Sequence, residues 1–191
     1  MGFRILGLLA ILGGVGVTIG AGIHVVLTQA SPDVRPWDVV KDPLEASIMA
    51  VAGIGGIVAL AVVIAGLAFL FQDRISNGAA LAASIGSVGG VLGVLGAFPA
   101  LFLMPIGSAI LAWDLARARV LSRWEAAAHV ASAIGFLVSI AAMMNNTQLG
   151  VAVVLTLFYP LTWLAIGGSV LRSVPMGPEV PGGSLPTARL P

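Results

Sequence analysis

What this chain lacks narrows its options more than what it contains. There is no cysteine among its 191 residues, which excludes disulfides, thiolate metal sites and thiol catalysis. Charged residues make up only 9% of the sequence, whereas a water-soluble domain carries roughly 25%. A fold this poor in charge cannot cover itself with a solvated surface. The formal net charge of +1 supplies no basic face for nucleic acid. The chain has two histidines and one tyrosine. It has no HExxH motif, no paired intramembrane aspartates and no nucleophile with a histidine base close in sequence. No metal and no cofactor are therefore expected, and the enzyme reading leans to no.

What is present is apolar. Hydrophobic residues reach 59% and mean hydropathy is +1.08. The fold class that follows is all-α, a polytopic transmembrane helical bundle, because a helix satisfies its own backbone where lipid offers no partner. A span needs about 20 apolar residues, and six are expected, at 3–28, 43–71, 77–97, 100–116, 123–144 and 150–171. The region 77–116 is too long for one crossing: as a single helix it would reach about 60 Å, twice the hydrocarbon thickness. Gly96-Ala97-Phe98-Pro99 is where it should turn, either between two full spans or as the tip of a re-entrant hairpin. The first run, Ile5 to Leu27, exceeds the ~7–15 residues of a signal core and reads as a retained span. Leu6 stands where N-myristoylation would need Ser or Thr. Residues 1–172 then form one transmembrane domain. Residues 173–191, with five Pro and three Gly, read as an irregular cytoplasmic tail.

The charges orient the bundle. With both termini cytoplasmic, Arg4, Arg74, Arg117, Arg119, Arg123 and Arg172 fall inside, and Arg35 and Lys41 outside, as the positive-inside rule requires. Arginine over lysine, with much Ala, Gly and Val, points to a GC-rich bacterial genome and so to a cytoplasmic membrane. Asp42-Pro43-Leu44-Glu45 and Ser122-Arg123-Trp124-Glu125 read as capping boxes that start the second and fifth spans. Most of Trp37, Trp113, Trp124 and Trp163 are expected near the interfaces. In the outer loop 29–45, Asp42 and Glu45 are used as a cap, and Asp33 and Asp38 read as solvated rather than as a cation site. Asn145-Asn146-Thr147 matches a glycosylation sequon in a very short loop.

Glycine is concentrated in the first three spans. Gly13, Gly16 and Gly20 lie in the first and Gly53, Gly55, Gly56 and Gly66 in the second. Gly86, Gly89, Gly90, Gly93 and Gly96 form one stripe in the third. Small-x-x-x-small patterns let helix backbones approach closely. Two uses are expected: closing the chain's own bundle, or docking another transmembrane subunit or a second copy.

Ionisable residues inside a membrane point to function, and here they are few. His24, near the outer end of span one, and His129, one turn into span five, are weak candidates for holding a cofactor. They should lie ~15–20 Å apart along the membrane normal, too far to share one haem iron. Glu125 and His129 are four apart and read as a local pair; Asp114 and Arg117 read as another. No charge is expected at the midplane, where polarity is limited to Thr18, Ser84, Ser87, Ser108, Ser132, Ser139 and Thr156. Pro105, Tyr159, Pro160 and Thr162 mark a possible solute path, since prolines can break helices and free carbonyls. The leading expectation is an accessory or assembly subunit of a larger membrane complex, with the lipid bilayer as its other partner. The alternative is a transporter or channel for a small neutral or amphipathic solute. A membrane enzyme or haem protein is the weaker third.

Overall fold

The protein is described by a computed structural model over residues 2–30, 42–144 and 150–172; within these, the side chains of 24–25, 28–30, 98, 143–144 and 150–155 lie outside the description. All regular structure among the described residues is helical. The helices are α1 (Gly2–Ala30), α2 (Pro43–Leu70), α3 (Asn77–Val94), α4 (Leu103–Arg117), α5 (Arg123–Met144) and α6 (Gly150–Arg172). A π-helical segment, Ala50–Ile54, interrupts α2, and a 3-10 turn, Phe98–Phe102, leads into α4. Five stretches are long and apolar enough to cross a membrane: Gly2–Ile23, Pro43–Leu70, Asn77–Val94, Pro99–Arg117 and Arg123–Ala142. To these α6 adds a helix of 23 residues.

Local chemistry sets the helix ends. The Asp42 side chain accepts the Leu44 N–H at 2.7 Å, and Pro43 opens α2. Ser76 caps α3 by accepting the Ala79 N–H at 3.2 Å. At α5 the box is reciprocal: Glu125 N–H donates to Ser122 Oγ at 3.1 Å and Ser122 N–H to Glu125 Oε2 at 2.8 Å. Each satisfies a donor the helix itself leaves unpaired. The α3 terminus is a Schellman turn. Ala97 N–H donates to Leu92 O at 3.0 Å and Gly96 N–H to Gly93 O at 3.2 Å. Gly96 takes φ 105°, a left-handed conformation that costs glycine nothing. The chain thus reverses at the Gly96–Pro99 segment, and α3 and α4 lie antiparallel.

The six helices close into a ring. Each packs on its neighbours in sequence, and α6 returns to pack extensively against α1. Neighbours run antiparallel. Going along α1, Gly7 abuts Leu171 and Gly167, and Gly14 abuts Pro160 and Trp163. On the other flank of α1, Gly13 meets Leu60 and Gly56, and Gly20 meets Gly53. The ring buries Leu60, Ile64, Leu67, Leu111, Leu115, Trp163 and Ile166. It leaves apolar side chains such as Leu12, Val51, Phe69 and Leu95 facing outward, at 64–77% exposure, a surface suited to lipid rather than water.

One end of the ring is recognisable from its contacts. Phe3 stacks edge-on against Phe71 with centroids 5.5 Å apart. Ser76 N–H donates to Asp114 Oδ2 at 2.6 Å, and Glu125 is bound by Ser169. Arg4, Arg74, Arg117, Arg119, Arg123 and Arg172 therefore all lie at this end by topology, and Asp42, Glu45 and Gly96 at the other. The outer-loop residues Asp33, Arg35, Trp37, Asp38 and Lys41, the sequon Asn145-Asn146-Thr147 and the tail 173–191 lie outside the described residues.

Close approach makes some glycines irreplaceable. A Cβ on Gly16 would stand 2.6 Å from Ala52 O and 3.2 Å from Gly56 Cα, both rigid backbone. On Gly55 it would meet nothing within 4 Å. Gly16→Leu should therefore lower stability by about 1–3 kcal/mol or more, as overpacking does, while Gly55→Ala should be neutral or gain up to about 1 kcal/mol from helix propensity. Denaturation midpoints of the two variants in mild detergent check this.

Candidate functional site

Residues at i, i+3 spacing come together on three consecutive helices: Ser108, one turn after Pro105, on α4, and the polar pairs His129 and Ser132 on α5 and Tyr159 and Thr162 on α6. The spacing puts each pair on one helical face, and the ring turns the three faces inward, toward one another. His129 is 0% exposed, Ser108 1%, Tyr159 2% and Trp163 1%. Along α5, His129 sits six residues from the charged end, about 9 Å deep at 1.5 Å per residue.

The contacts define a directional circuit. His129 Nδ1 lies 2.7 Å from Thr162 Oγ1, and Nε2 lies 3.0 Å from Ser108 Oγ. Ser108 Oγ lies 2.9 Å from the Tyr159 phenol oxygen. With its hydroxyl proton on Tyr159 O, 2.7 Å away, Thr162 can only accept from His129 Nδ1. The opposite tautomer would put the Ser108 proton on Pro105 O at the longer 3.1 Å and have Ser108 accept from Nε2; the shorter carbonyl contact favours a neutral ring protonated at Nδ1 that accepts at Nε2. Ser108 donates to Nε2, and Tyr159 donates to Ser108. The chain of donors runs from the Tyr159 phenol through Ser108, His129 and Thr162 back to the Tyr159 carbonyl. Ser132 completes the group, donating to His129 O at 2.8 Å. Ser108 Oγ also lies 3.1 Å from Pro105 O, a second acceptor for the same proton.

Aromatic rings wall the circuit. Trp163 meets the imidazole edge-on at 4.9 Å, and Phe136 packs on Tyr159 at 5.1 Å. The Trp163 indole N–H is turned toward the phenol but meets no acceptor in hydrogen-bonding geometry. It is the buried side-chain polar atom left unsatisfied among the described residues, and such a donor costs about 1–3 kcal/mol.

The structure corrects two sequence expectations. Glu125 does not pair with His129. Its carboxylate takes the Ser122 N–H, the Ser169 hydroxyl and the Arg172 guanidinium at 3.9 Å, while His129 turns inward to hydroxyls. Pro160 does not break its helix; α6 is continuous through it. Trp163 is buried in the bundle at 1% exposure, whereas Trp113 and Trp124 are exposed, as a belt residue would be.

The remaining candidates are placed as follows. Thr162 and Tyr159 lie in the circuit, and Pro105 borders it through its carbonyl. The Pro160 carbonyl faces Gly14 on α1 instead. The side chain of His24 lies outside the described residues; its backbone, on α1 beyond Gly20, is toward the end that carries Asp42 and Glu45. Gly13, Gly16 and Gly20 face α2; Gly86, Gly89 and Gly93 face α4 and its leading turn; Gly90 faces Met104 and Ala61. These stripes are occupied by the chain's own helices. Asp114 pairs with Arg117 at 3.5 Å and also ties α4 to Ser76. Of the other hydroxyls, Ser87 reaches across to Ala61 O at 2.8 Å, and Thr18, Ser84 and Ser139 bond carbonyls four residues back in their own helices.

Both His129 nitrogens are engaged, so ligating a haem iron would require dismantling the circuit. Among the described residues no three His, Cys, Asp or Glu come together as a metal set. Fold and site together fit one class, an integral multi-pass α-helical membrane protein with a buried, uncharged polar centre. Beyond that class, the chain matches no protein-family model, no curated protein and no solved structure.

Ser108→Ala strands both His129 Nε2 and the Tyr159 phenol. It should cost about 1–3 kcal/mol per stranded group, whereas adding Tyr159→Phe to Ser108→Ala should cost much less than Tyr159→Phe does alone. A double-mutant cycle on unfolding in mild detergent measures this coupling.

Proposed function

We propose that the protein is a membrane-embedded binding or transport protein for a small, uncharged solute that carries a hydrogen-bond acceptor, and that the His129 centre is where the solute engages. The observation that carries this reading is the indole N–H of Trp163, buried and turned toward the Tyr159 phenol but short of hydrogen-bonding geometry with it, at the point where polar groups of α4, α5 and α6 converge. A carbonyl, ether or hydroxyl oxygen would satisfy it. Charge on the solute is disfavoured by the site's chemistry. Asp114 is held by Ser76 and Arg117, and Glu125 by Ser122, Ser169 and Arg172, so neither is free to neutralise an ion deeper in the bundle.

In this reading the bundle lies in a bacterial cytoplasmic membrane with its arginine-rich end inward, as the positive-inside rule favours. The accessory-subunit reading drew its support from the glycine stripes, the short loops and the absence of catalytic motifs. With those stripes filled by the chain's own helices, nothing in them calls for a partner.

Stopped-flow swelling of vesicles carrying the purified protein, challenged with glycerol and with urea, tests the proposal. Permeation above that of protein-free vesicles, reduced several-fold by Tyr159→Phe and by Trp163→Phe, is the expected result. Permeation equal to protein-free vesicles, together with a stoichiometric foreign subunit in native mass spectrometry, would return the weight to an accessory role.

A further inference from the structure

The α4–α5 connection carries a feature that neither packing nor the polar centre uses. α4 ends in the same Schellman turn as α3: Val120 N–H donates to Leu115 O at 2.9 Å and Arg119 N–H to Ala116 O at 3.1 Å. In α3 the left-handed position is filled by Gly96; in α4 it is filled by Arg119, at φ 59°. Arg119 is the non-glycine residue with positive φ among the described residues. A side chain there is disfavoured by roughly 1–2 kcal/mol, and glycine would remove the strain. The neighbours Val120 and Leu121 are partly or fully buried and fasten the turn to the core, so the Arg119 side chain is held at a fixed place on the charged end.

Its charge is unanswered. Arg117 pairs with Asp114 and lies 6.0 Å from the Trp113 ring. Arg119 and Arg123, four residues apart on either side of the short link, have no carboxylate partner among the described residues. The two acids nearest in sequence, Asp114 and Glu125, are already bound. On both sides of this basic turn stand exposed indoles, Trp113 at 50% and Trp124 at 87%. Indoles of this kind sit at the headgroup level of a bilayer, ring in the acyl boundary and N–H toward the polar layer.

We propose that the Arg119–Arg123 turn, flanked by Trp113 and Trp124, is a binding site for the phosphodiester headgroup of an anionic phospholipid. Two unpaired guanidiniums more than offset the single negative charge of a phosphodiester and supply several N–H donors for its free oxygens. The indoles fix the depth at which that phosphate lies. The site is independent of the His129 centre and does not rest on the solute reading.

Native mass spectrometry of the full chain, released from nanodiscs of phosphatidylglycerol mixed with phosphatidylcholine, tests this. Wild type should retain phosphatidylglycerol in preference to phosphatidylcholine, and Arg119→Gln with Arg123→Gln should weaken retention about 10- to 30-fold. Arg4→Gln with Arg74→Gln, equally basic and at the same end, should leave it within about twofold. Arg119→Gly should raise thermal stability in phosphatidylcholine while lowering phosphatidylglycerol retention, which keeps loss of binding separate from loss of fold. Adding millimolar inorganic phosphate distinguishes the source of the ligand: unchanged lipid retention supports a lipid site, and displacement of the lipid assigns the site to free phosphate. No lipid preference in wild type, or equal loss in the Arg4/Arg74 control, would overturn the proposal.

Discussion

A hydrocarbon interior offers no hydrogen bonds, and the architecture of this protein follows from that one condition. Every backbone donor and acceptor in the apolar stretches has to be satisfied within the chain, which leaves helices as the workable local structure. The same condition governs side chains. Thr18, Ser84 and Ser139 return their protons to carbonyls of their own helices, and Ser87 crosses to α2. Ser108, His129 and Tyr159, buried at 2% exposure or less, close a circuit with the part-buried Thr162. Against that background an indole N–H without an acceptor is conspicuous, and the functional proposal is built on it.

Lipid also removes the hydrophobic drive that pulls helices together in water, so contact has to come from close packing. Glycine supplies it where backbones touch: α1 meets α2 through Gly13, Gly16, Gly20 and Gly56, and α3 meets α4 through Gly86, Gly89 and Gly107. The ring is shut by the extensive contact between the first helix and the last, through Gly7, Gly14 and Gly167. The glycine-poor helices α4, α5 and α6 are joined by hydrogen bonds instead. The two halves of the ring thus lean on different means of cohesion, and the polar centre belongs to the half poorer in glycine.

Much of this was legible in the residues. Hydropathy runs located the helices, and Gly96 with Pro99 located the reversal between α3 and α4. Asp42-Pro43 and Ser122–Glu125 marked two helix starts, because capping is a short-range signal written in three or four adjacent residues. The polar centre was visible only in fragments. Tyr159 and Thr162 stood out on a possible solute path and His129 as a weak cofactor candidate, but what joins them is the packing of α4, α5 and α6, which no local pattern encodes. Glu125 misled for the same reason: four residues from His129 in sequence, it is drawn instead to Ser169 and Arg172, which arrive from the far end of the chain. The i, i+3 polar pairs on α5 and α6, with Ser108 on α4, were the available clue that these faces meet. Arg119 in a glycine position was silent in sequence, since only the backbone angle shows that the residue is out of place.

The central claim is that a neutral His129, protonated at Nδ1, is locked between Thr162 and Ser108 in the bundle interior. Nitrogen-15 NMR of histidine-labelled protein in bilayers, with His24→Gln used to assign the remaining ring, reads this directly. The account predicts a protonated Nδ1 hydrogen-bonded to oxygen, an unprotonated Nε2, and a shift of the Nε2 signal on Ser108→Ala. An imidazolium, an Nε2-protonated ring, or an Nε2 signal indifferent to Ser108 would contradict it.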